Sequence, residues 1–466
     1  MSQDSDTSGS SGGPFTADVV IVGAGYSGLS AGLALVDSGV DNIVVLEGSD
    51  RVGGRTLSEV RPNGVVVDHG GQWVGPTQTH LLALAERFGI ATFPTFFAGE
   101  HLEIWTDGRK ARYTGAGPDD GDGLAEYAAH IKVLDALAAT IDVNNPAASP
   151  RAEVFDAETV ASYLLREVPD VNARRRFALA VEGVWACEPA QLSMLHFLFY
   201  IAAAGSFDEL METDGCAQEA RFVGGAQSVA EACAHHLGDR VRLGQRVVLI
   251  EHGEDGVAVH TSNGVVHARS LIFTLPPQAA GSVRFDPPLP LAKARFIDRS
   301  VMGDVAKVHA LYDDPFWRTE GLSGQATIYD ERECGVVFDN SPDDASSGVL
   351  VAFVYGRRVA PWAALDADAR RTAVLDTLTD LFGECAGRPV DYVEKIWPSD
   401  EWIRGAYAAN PTPGVWTGYG ASGWRAATGP LHWAGSETSS VWNGYIDGAV
   451  RSGQRAAAEV LDDRGR

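Results

Sequence analysis

Basic residues are scarce in this chain. It carries 37 Lys and Arg against 62 Asp and Glu, a formal net charge of −25. A surface of that sign repels a phosphate backbone, which argues against nucleic acid as a partner. It can steer cationic ligands inward, although most such charge simply keeps a protein soluble. Cysteine is sparse too. Cys187, Cys216, Cys233, Cys334 and Cys385 are scattered, with no CxxC and no metal-ligand spacing, which argues against a disulfide framework and fits a reducing cytoplasm. The histidines show no ligand spacing, so no metal site is expected. No GxSxG and no Ser/His/Asp order is present, so hydrolysis lacks a nucleophile. No stretch approaches eighteen apolar residues, the length a bilayer demands, and no membrane anchor is expected.

What remains is ordinary globular material. The 466 residues are 45% hydrophobic and 21% charged, enough for two domains. Residues 1–16 are rich in Ser, Gly and Asp and lack the basic start and apolar core of a signal peptide. A disordered tail is expected there.

The chain is organised around Asp18-Val-Val-Ile-Val-Gly-Ala-Gly-Tyr-Ser-Gly-Leu-Ser30. The β-branched run reads as a buried parallel strand, and an Ala/Leu-rich helix follows the glycines. Gly23 allows a tight turn, Gly25 lets the backbone approach a pyrophosphate, and Gly28 lets helix and strand pack closely. The phosphates would meet the free N–H groups of a helix N-terminus. A second strand, residues 43–46, ends at Glu47, where an acid accepts the hydroxyls of an adenosine ribose. A further match to the same pattern, Gly418-Tyr-Gly420-Ala-Ser-Gly423, has no strand before it and is expected to be a loop. After Glu47 comes Arg51-x-Gly53-Gly54-Arg55, an extension that resembles FAD-dependent oxidoreductases, in which this segment wraps the FAD pyrophosphate.

Further along, Val65-Val-Val-Asp-His-Gly-Gly-Gln-Trp-Val-Gly75 is strand-like and runs into a second glycine turn, with His69 expected to be structural. Residues 81–88 have helical spacing and 99–118 read as a hairpin. Helical segments are expected at 123–141, 156–167, 171–184 and 192–203, with their apolar stripes as core. Strand patterns return at 241–250, 256–261, 265–268, 270–274, 300–313 and 349–355. A helix covers 366–382 with its acid at the N-terminal end. The last signature is Gly429-Pro-Leu-His-Trp-Ala-Gly-Ser-Glu437-Thr, followed by a helix to Leu461 with one buried face. The expected fold is therefore α/β, with a Rossmann-like FAD-binding domain built from residues 17–95, 219–296 and 391–461. A substrate domain of mixed sheet and helices is inserted as 96–218 and 297–390.

With these pieces in order, the chain resembles the flavin-dependent amine oxidases of the monoamine oxidase type over nearly all of residues 17–461. The motifs are Gly-Ala-Gly-Tyr-Ser-Gly-Leu, Gly-Gly-Gln-Trp-Val-Gly-Pro-Thr-Gln from Gly70, Phe-Val-Gly-Gly from Phe222, Met302-Gly-x-x-x-Lys307 with Tyr312-x-x-Pro-Phe-Trp317, and Trp433-Ala-Gly-Ser-Glu-Thr. The resemblance implies FAD as cofactor. Its contacts would be Gly23, Gly25, Ser27, Gly28, Glu47, Gly54, Arg55, Gly71, Gln72, Trp73, Val247, Trp397, Gly435, Glu437, Tyr445 and Ile446. Lys307 matches a lysine that holds a water near flavin N5, although strand alternation alone would place it on a solvated face. Tyr407 and Tyr445 match the aromatic pair that flanks the amine, and Gln218 and Phe338 match substrate-cavity positions. Tyr312 is read as core.

The implied reaction is oxidative deamination of an aryl-alkyl or aliphatic monoamine. A hydride equivalent passes to flavin N5, and O2 as acceptor yields imine, then aldehyde, and H2O2. One departure is informative: Ala406 stands where the monoamine oxidases of animals carry a cysteine bonded to the flavin, so FAD is expected to be dissociable. A homodimer is the assembly that relatives suggest. Polyamine or diamine oxidation stays open and would want an acid at the cavity mouth, for which Glu212, Asp214, Glu219 and Asp330 are candidates. Cyclic-amine oxidation of the nicotine type stays open as well. An L-amino-acid oxidase would need a cation for the substrate carboxylate, and none can be placed. A lipid desaturase would want an exposed apolar patch, and a flavin-binding interaction module would want basic patches or a long helical insertion.

Overall fold

A computed structural model describes residues 15–115, 117–118 and 121–465. The tail expected at 1–16 lies outside these residues, except that positions 15 and 16 already belong to the first strand, Phe15–Val22, paired with Val266 and His267. That strand runs parallel to Ile43–Leu46 on one side and Gly264–Phe273 on the other. Its residues Val19 to Val22 are buried on both faces, as expected for a parallel sheet covered by helices. Val241–Arg242 extends one edge, Leu431–Trp433 joins Gly264–Phe273 in parallel, and an antiparallel meander of Gly256–Thr261 and Val247–Gly253 leads to Arg284–Asp286. The two runs at 265–268 and 270–274 are thus one strand. The run at 241–250 is two, broken at Gly244, whose φ is +66°.

The helices Tyr26–Asp37 and Ile446–Arg464 pack against each other beside this sheet. A Cβ at Gly453 would sit 2.1 Å from the Ser27 carbonyl oxygen, so glycine is required for the approach. Ser27 Oγ lies 2.9 Å from Ser452 Oγ and accepts from the Gly435 amide at 2.8 Å. The two ends of the chain are locked together where the glycine turn emerges.

A second sheet has seven strands in the order Asp391–Ile396, Val305–Tyr312, Gly348–Tyr355, Cys334–Asp339, Leu322–Ile328, Glu100–Ile104 and Lys110–Tyr113. Asp391–Ile396 pairs with Val305–Tyr312, so these residues lie with the inserted segments and not with the first sheet, as the boundary at 391 had assumed. The strand expected over 300–313 breaks at Gly303, where a Cβ would strike the Ala406 oxygen at 2.5 Å and the Trp185 oxygen at 2.7 Å. Ser300–Met302 pairs instead with Ala409–Pro411. The hairpin Ser58–Val60 and Val66–Asp68 covers one face of the seven-stranded sheet, with Val65 and Val67 packed on Leu311, Val349 and Val393. Every residue of Val305–Tyr312 is therefore buried.

Helices Leu124–Ala138, Val160–Glu167, Val171–Trp185 and Met194–Ala204 form a third block. The helix expected from 156 starts at Val160, because Thr159 Oγ1 accepts from the Ser162 amide at 3.1 Å and caps it. Met194–Ala204 is apolar almost all round and buried at the centre of that block. The stretch at 418–423 is not a loop: a wide turn at Trp416–Gly420 continues into Ala421–Gly423. Buried Trp416, packed on Phe199, Phe296 and Trp424, holds it helical. Among the described residues no helix is long and apolar enough to cross a membrane.

Candidate active site

One cavity of about 870 Å³ runs between the two sheets and the helical block. It begins as a cleft at the first glycine turn. Gly23 has φ +102°, and a Cβ there would meet Thr274 Oγ1 at 2.5 Å. A Cβ at Gly28 would lie 1.9 Å from the Gly23 oxygen, so this glycine is fixed by packing inside the protein. Gly25 differs. Its backbone is extended at φ −75°, and an added Cβ would meet nothing nearer than the Gly54 Cα at 3.9 Å. No protein atom demands glycine there, whereas a ligand lying on the backbone would. No side chain caps the helix that starts at Tyr26, so its first N–H groups are available to an anion. Glu47 is fixed at the far rim: its Oε2 accepts from the Ala24 amide at 2.8 Å, and its Oε1 accepts from the amide and hydroxyl of Ser49 at 2.9 Å. A helix N-terminus, a bare glycine backbone and an oriented carboxylate suit a dinucleotide diphosphate and its ribose.

Arg55 and Glu437 close the floor. Arg55 Nη1 donates to Glu437 Oε1 at 2.5 Å and to the Tyr407 carbonyl at 2.9 Å; its Nη2 donates to Glu437 Oε2 at 3.0 Å and to Ser436 Oγ at 3.1 Å. Burial raises the Glu437 carboxyl, but the charge and hydrogen bonds of Arg55 outweigh it and hold the group below its usual range. The pair ties the Gly53-Gly54 turn to the segment carrying Tyr407.

Beyond the cleft the cavity passes Lys307. Its Nζ donates to the Gly70 carbonyl at 3.0 Å and to Gln72 Oε1. Gln72 Nε2 in turn donates to Asn340 Oδ1 at 2.7 Å. Burial brings the ammonium down to about 7; the Asp68 carboxylate pulls the other way and Arg221 adds to the fall. A buried amine at that value can hold or release a proton near neutral pH. Trp397 lines the cavity as well, its Nε1 donating to the His69 carbonyl at 2.8 Å.

The inner cavity is aromatic. Tyr407 Oη lies 3.5 Å from Tyr355 Oη, with the rings near perpendicular at 6.5 Å. Tyr445 is packed edge-on to Trp442 at 4.8 Å and beside Tyr200 at 5.9 Å. Burial raises the pKa of both Tyr407 and Tyr445, so both rings are uncharged at neutral pH. Phe338 and Trp73 meet at 5.2 Å on the opposite wall, and Phe353 stacks on Tyr355 at 5.6 Å. Gln218 Nε2 donates to the Leu210 carbonyl at 3.0 Å, which leaves its Oε1 buried without a partner.

At the far end the wall turns polar. Arg176 holds Glu103 through two bonds of 3.0 and 3.2 Å, and also donates to Tyr329 Oη at 3.1 Å. Asp208 and Glu212 line the cavity there, whereas Asp214, Glu219 and Asp330 do not. Burial and the charge of Asp208 raise the Glu212 carboxyl.

Of the residues singled out in the sequence, Gly23, Gly25, Ser27, Glu47, Gly54, Arg55, Gly71, Gln72, Trp73, Val247, Trp397, Gly435, Tyr445 and Ile446 all line this one cavity, as do Lys307, Tyr407, Gln218 and Phe338. Gly28 and Glu437 do not. Gly28 is buried under the turn, and Glu437 stands behind Arg55. The sequence did not reveal Phe353, Tyr355, Tyr200 or the Glu103–Arg176 pair. The first two sit in a strand whose eight residues are all buried, which carries no alternation to mark one face. Trp402, against which a Cβ at Gly48 would clash at 2.4 Å, was missed for want of any local pattern. Among the described residues no cysteine lines the cavity, and no cluster of His, Cys, Asp or Glu could hold a metal.

Comparison with known proteins places this geometry. Residues 26–461 match the family model described as flavin containing amine oxidoreductase. A protein of Mycobacterium tuberculosis that carries the name of a flavin-containing monoamine oxidase, AofH, is 39% identical over 96% of this chain and 97% of its own. The solved structure of wild-type putrescine oxidase bound to putrescine superposes with a TM-score of 0.92 at 36% identity, over 97% of this chain and all (100%) of that one. Cyclohexylamine oxidase from Brevibacterium oxydans IH-35A superposes equally well, at a TM-score of 0.92 and 33% identity over the same shares.

Proposed function

The chain belongs to the flavin-containing amine oxidoreductase family, and from that premise we propose that it oxidises a primary or secondary monoamine, alkyl or aryl-alkyl, with dioxygen as acceptor. The observation that carries this is the continuity of one cavity, from the bare Gly25 backbone and Glu47, past Lys307, to Tyr407 and Tyr445. FAD, when bound, supplies the two-electron acceptor that the side chains lack.

The protein's own residues bind and orient. Gly23, Gly25 and the helix start at Tyr26 take the diphosphate, Glu47 the ribose, and the 70–73 turn with Trp397 the ring system. Gly28 and Glu437 act behind them, by packing and by holding Arg55. With Ala406 in the linking position and no cysteine in the wall, FAD is held without a covalent bond. Tyr407 and Tyr445 offer uncharged π faces, which attract an amine and confine its path. The apolar wall favours the neutral amine over the ammonium. Lys307, poised near neutrality, holds a proton where reduction of dioxygen consumes one. Arg176 lines the inner cavity but is already engaged by Glu103, so it is not free to clamp a substrate carboxylate, which counts against amino acids as substrates.

The carboxylates Asp208 and Glu212 at the far end favour diamines as a second substrate class, since a distal ammonium would find an anion there. The test is anaerobic mixing of the FAD-loaded protein with phenethylamine or butylamine while flavin absorbance is followed. Bleaching that saturates with amine supports the proposal, and an unchanged spectrum with every amine counts against it. Diamine preference is read from Glu212→Gln, which should raise KM for putrescine about tenfold and leave a monoamine unchanged.

A further inference from the structure

Behind Lys307 lie two imidazoles that the site above does not use. His309 follows Lys307 by two residues on the same face of its strand, so their Cα atoms are about 7 Å apart. His309 is fully buried, and among the described residues neither of its ring nitrogens has a partner. Its ring stands edge-on to that of His69, 5.7 Å between centroids at 89°. His69 is buried as well, at 6% exposure, and its Nδ1 is also without a partner. Its other nitrogen, Nε2, lies 2.8 Å from Oε2 of Glu59, whose side chain is 46% exposed. Three orphaned ring nitrogens therefore sit in a row between the rim and the buried amine. Buried polar atoms left unpaired are costly, and a small polar gap lined by several of them is where ordered water resides. An apolar side chain would fill the place of His309 without that cost, since its cross-strand partners Val351 and Val393 are apolar.

We propose that His69 and His309 hold a buried water between them and that this row, opening at Glu59, carries protons between solvent and Lys307. The proposal rests on Lys307 acting at the bound flavin. Each turnover reduces O2 with two electrons and two protons to H2O2, so protons must reach the site. An inward transfer starts from the Nδ1–H tautomer of His69 with Glu59 protonated from solvent: Glu59 gives its proton to His69 Nε2, and the Nδ1 proton of His69 passes to the water. The water gives one to His309, which releases its other proton toward the Lys307 amine; bulk solvent loses one proton and Lys307 gains it. The groups that face the row are compatible with neutral, exchangeable rings. Burial lowers His69 while Glu59 and Asp68 raise it and Lys307 lowers it further. Burial, Lys307, His69, Arg221 and Arg61 all lower His309.

The test combines stopped flow on the FAD-loaded enzyme with nitrogen NMR on histidine-labelled protein. For wild type, His309→Leu, His69→Phe and Lys307→Met, the amine-driven and the oxygen-driven half-reactions are timed in H2O and in D2O. Both histidine variants are expected to slow the oxygen-driven half about tenfold or more and to alter its solvent isotope effect, with the amine-driven half unchanged. If Lys307→Met slows reoxidation while both histidine variants match wild type in rate and isotope effect, the relay is wrong and the role of Lys307 stands. If Lys307→Met also matches wild type, the parent proposal fails. Independently of activity and of how the variants fold, the wild-type ring signals of His69 and His309 should report neutral rings whose N–H protons exchange with water. Rings that show no exchange with water would overturn the proposal.

Discussion

Arg55 and Glu437, 382 residues apart in sequence, form a two-bond ion pair of 2.5 and 3.0 Å that also fixes the Tyr407 carbonyl. The pair joins the glycine turn near the N-terminus to the last strand's turn and to the aromatic wall. Removing one partner leaves a buried charge uncompensated, which costs roughly 3–5 kcal/mol. Glu437→Gln is therefore expected to lower unfolding stability by about that amount at pH 7 and to weaken FAD retention. The folded-state pKa of Glu437 is depressed, so its contribution is present above the unfolded carboxyl value, about 4.3, and is lost as pH falls through the folded value. Denaturant titrations from pH 7 to pH 3 should show the gap between variant and wild type closing at the acid end.

The glycines of the first turn separate folding from binding. Gly28→Ala puts a Cβ 1.9 Å from the Gly23 oxygen and should cost several kcal/mol. Gly25→Ala meets nothing in the protein closer than 3.9 Å. It should leave the stability of the FAD-free protein within about 1 kcal/mol while weakening FAD at least about tenfold. Equilibrium dialysis with FAD beside thermal unfolding distinguishes the two, and a Gly25→Ala protein that binds FAD like wild type would contradict a diphosphate lying on the Gly25 backbone.

How much of this was legible in the sequence depends on how local each feature is. The cleft at the first glycine turn was, because Gly23 to Glu47 form a turn, a helix start and a strand end within one short segment. Lys307 was placed by its flanking motif only. Alternation puts it opposite Val308 and Ala310, and nothing nearby says that the 58–68 hairpin will bury that face. The break at Gly303 and the transfer of Asp391–Ile396 to the second sheet come from contacts with Ala406, Trp185 and Val305–Tyr312. Those contacts depend on pairing across long separations. Glu103 and Arg176 likewise meet across 73 positions, and periodicity does not record which neighbour an ionic side chain will find.

Lys307→Met should keep FAD bound and leave the amine-driven half-reaction intact while slowing reoxidation by oxygen by about a hundredfold. The folded lysine has its pKa lowered to about 7, so wild type carries a penalty for burying the ammonium that is full below pH 7 and relieved as pH rises toward the unfolded value, about 10.4. The stability of wild type relative to the variant should accordingly rise between pH 7 and 10, and a flat difference would mean that the amine is not desolvated.

In the proposed reaction the two tyrosines act through their rings and not through their hydroxyls, whose pKa values burial raises. Tyr407→Phe and Tyr445→Phe are expected to stay within about tenfold of wild type in kcat/KM, and the alanine variants to lose a further ten- to hundredfold. Equal losses for Phe and Ala would assign the work to the hydroxyls.

Acid precipitation of the purified yellow protein should release its FAD into the supernatant, since Ala406 offers no thiol and no cysteine lines the cavity. Flavin that stays with the pellet would contradict this.

The most direct test of the central claim is peroxide release by the FAD-loaded protein with a panel of phenethylamine, tyramine, butylamine, putrescine, a cyclic secondary amine and an amino acid. Saturable, stoichiometric peroxide and aldehyde from the monoamines, with little from the amino acid, is the predicted result. A flavoprotein that yields no peroxide with any amine, yet is reduced by another donor, would contradict it.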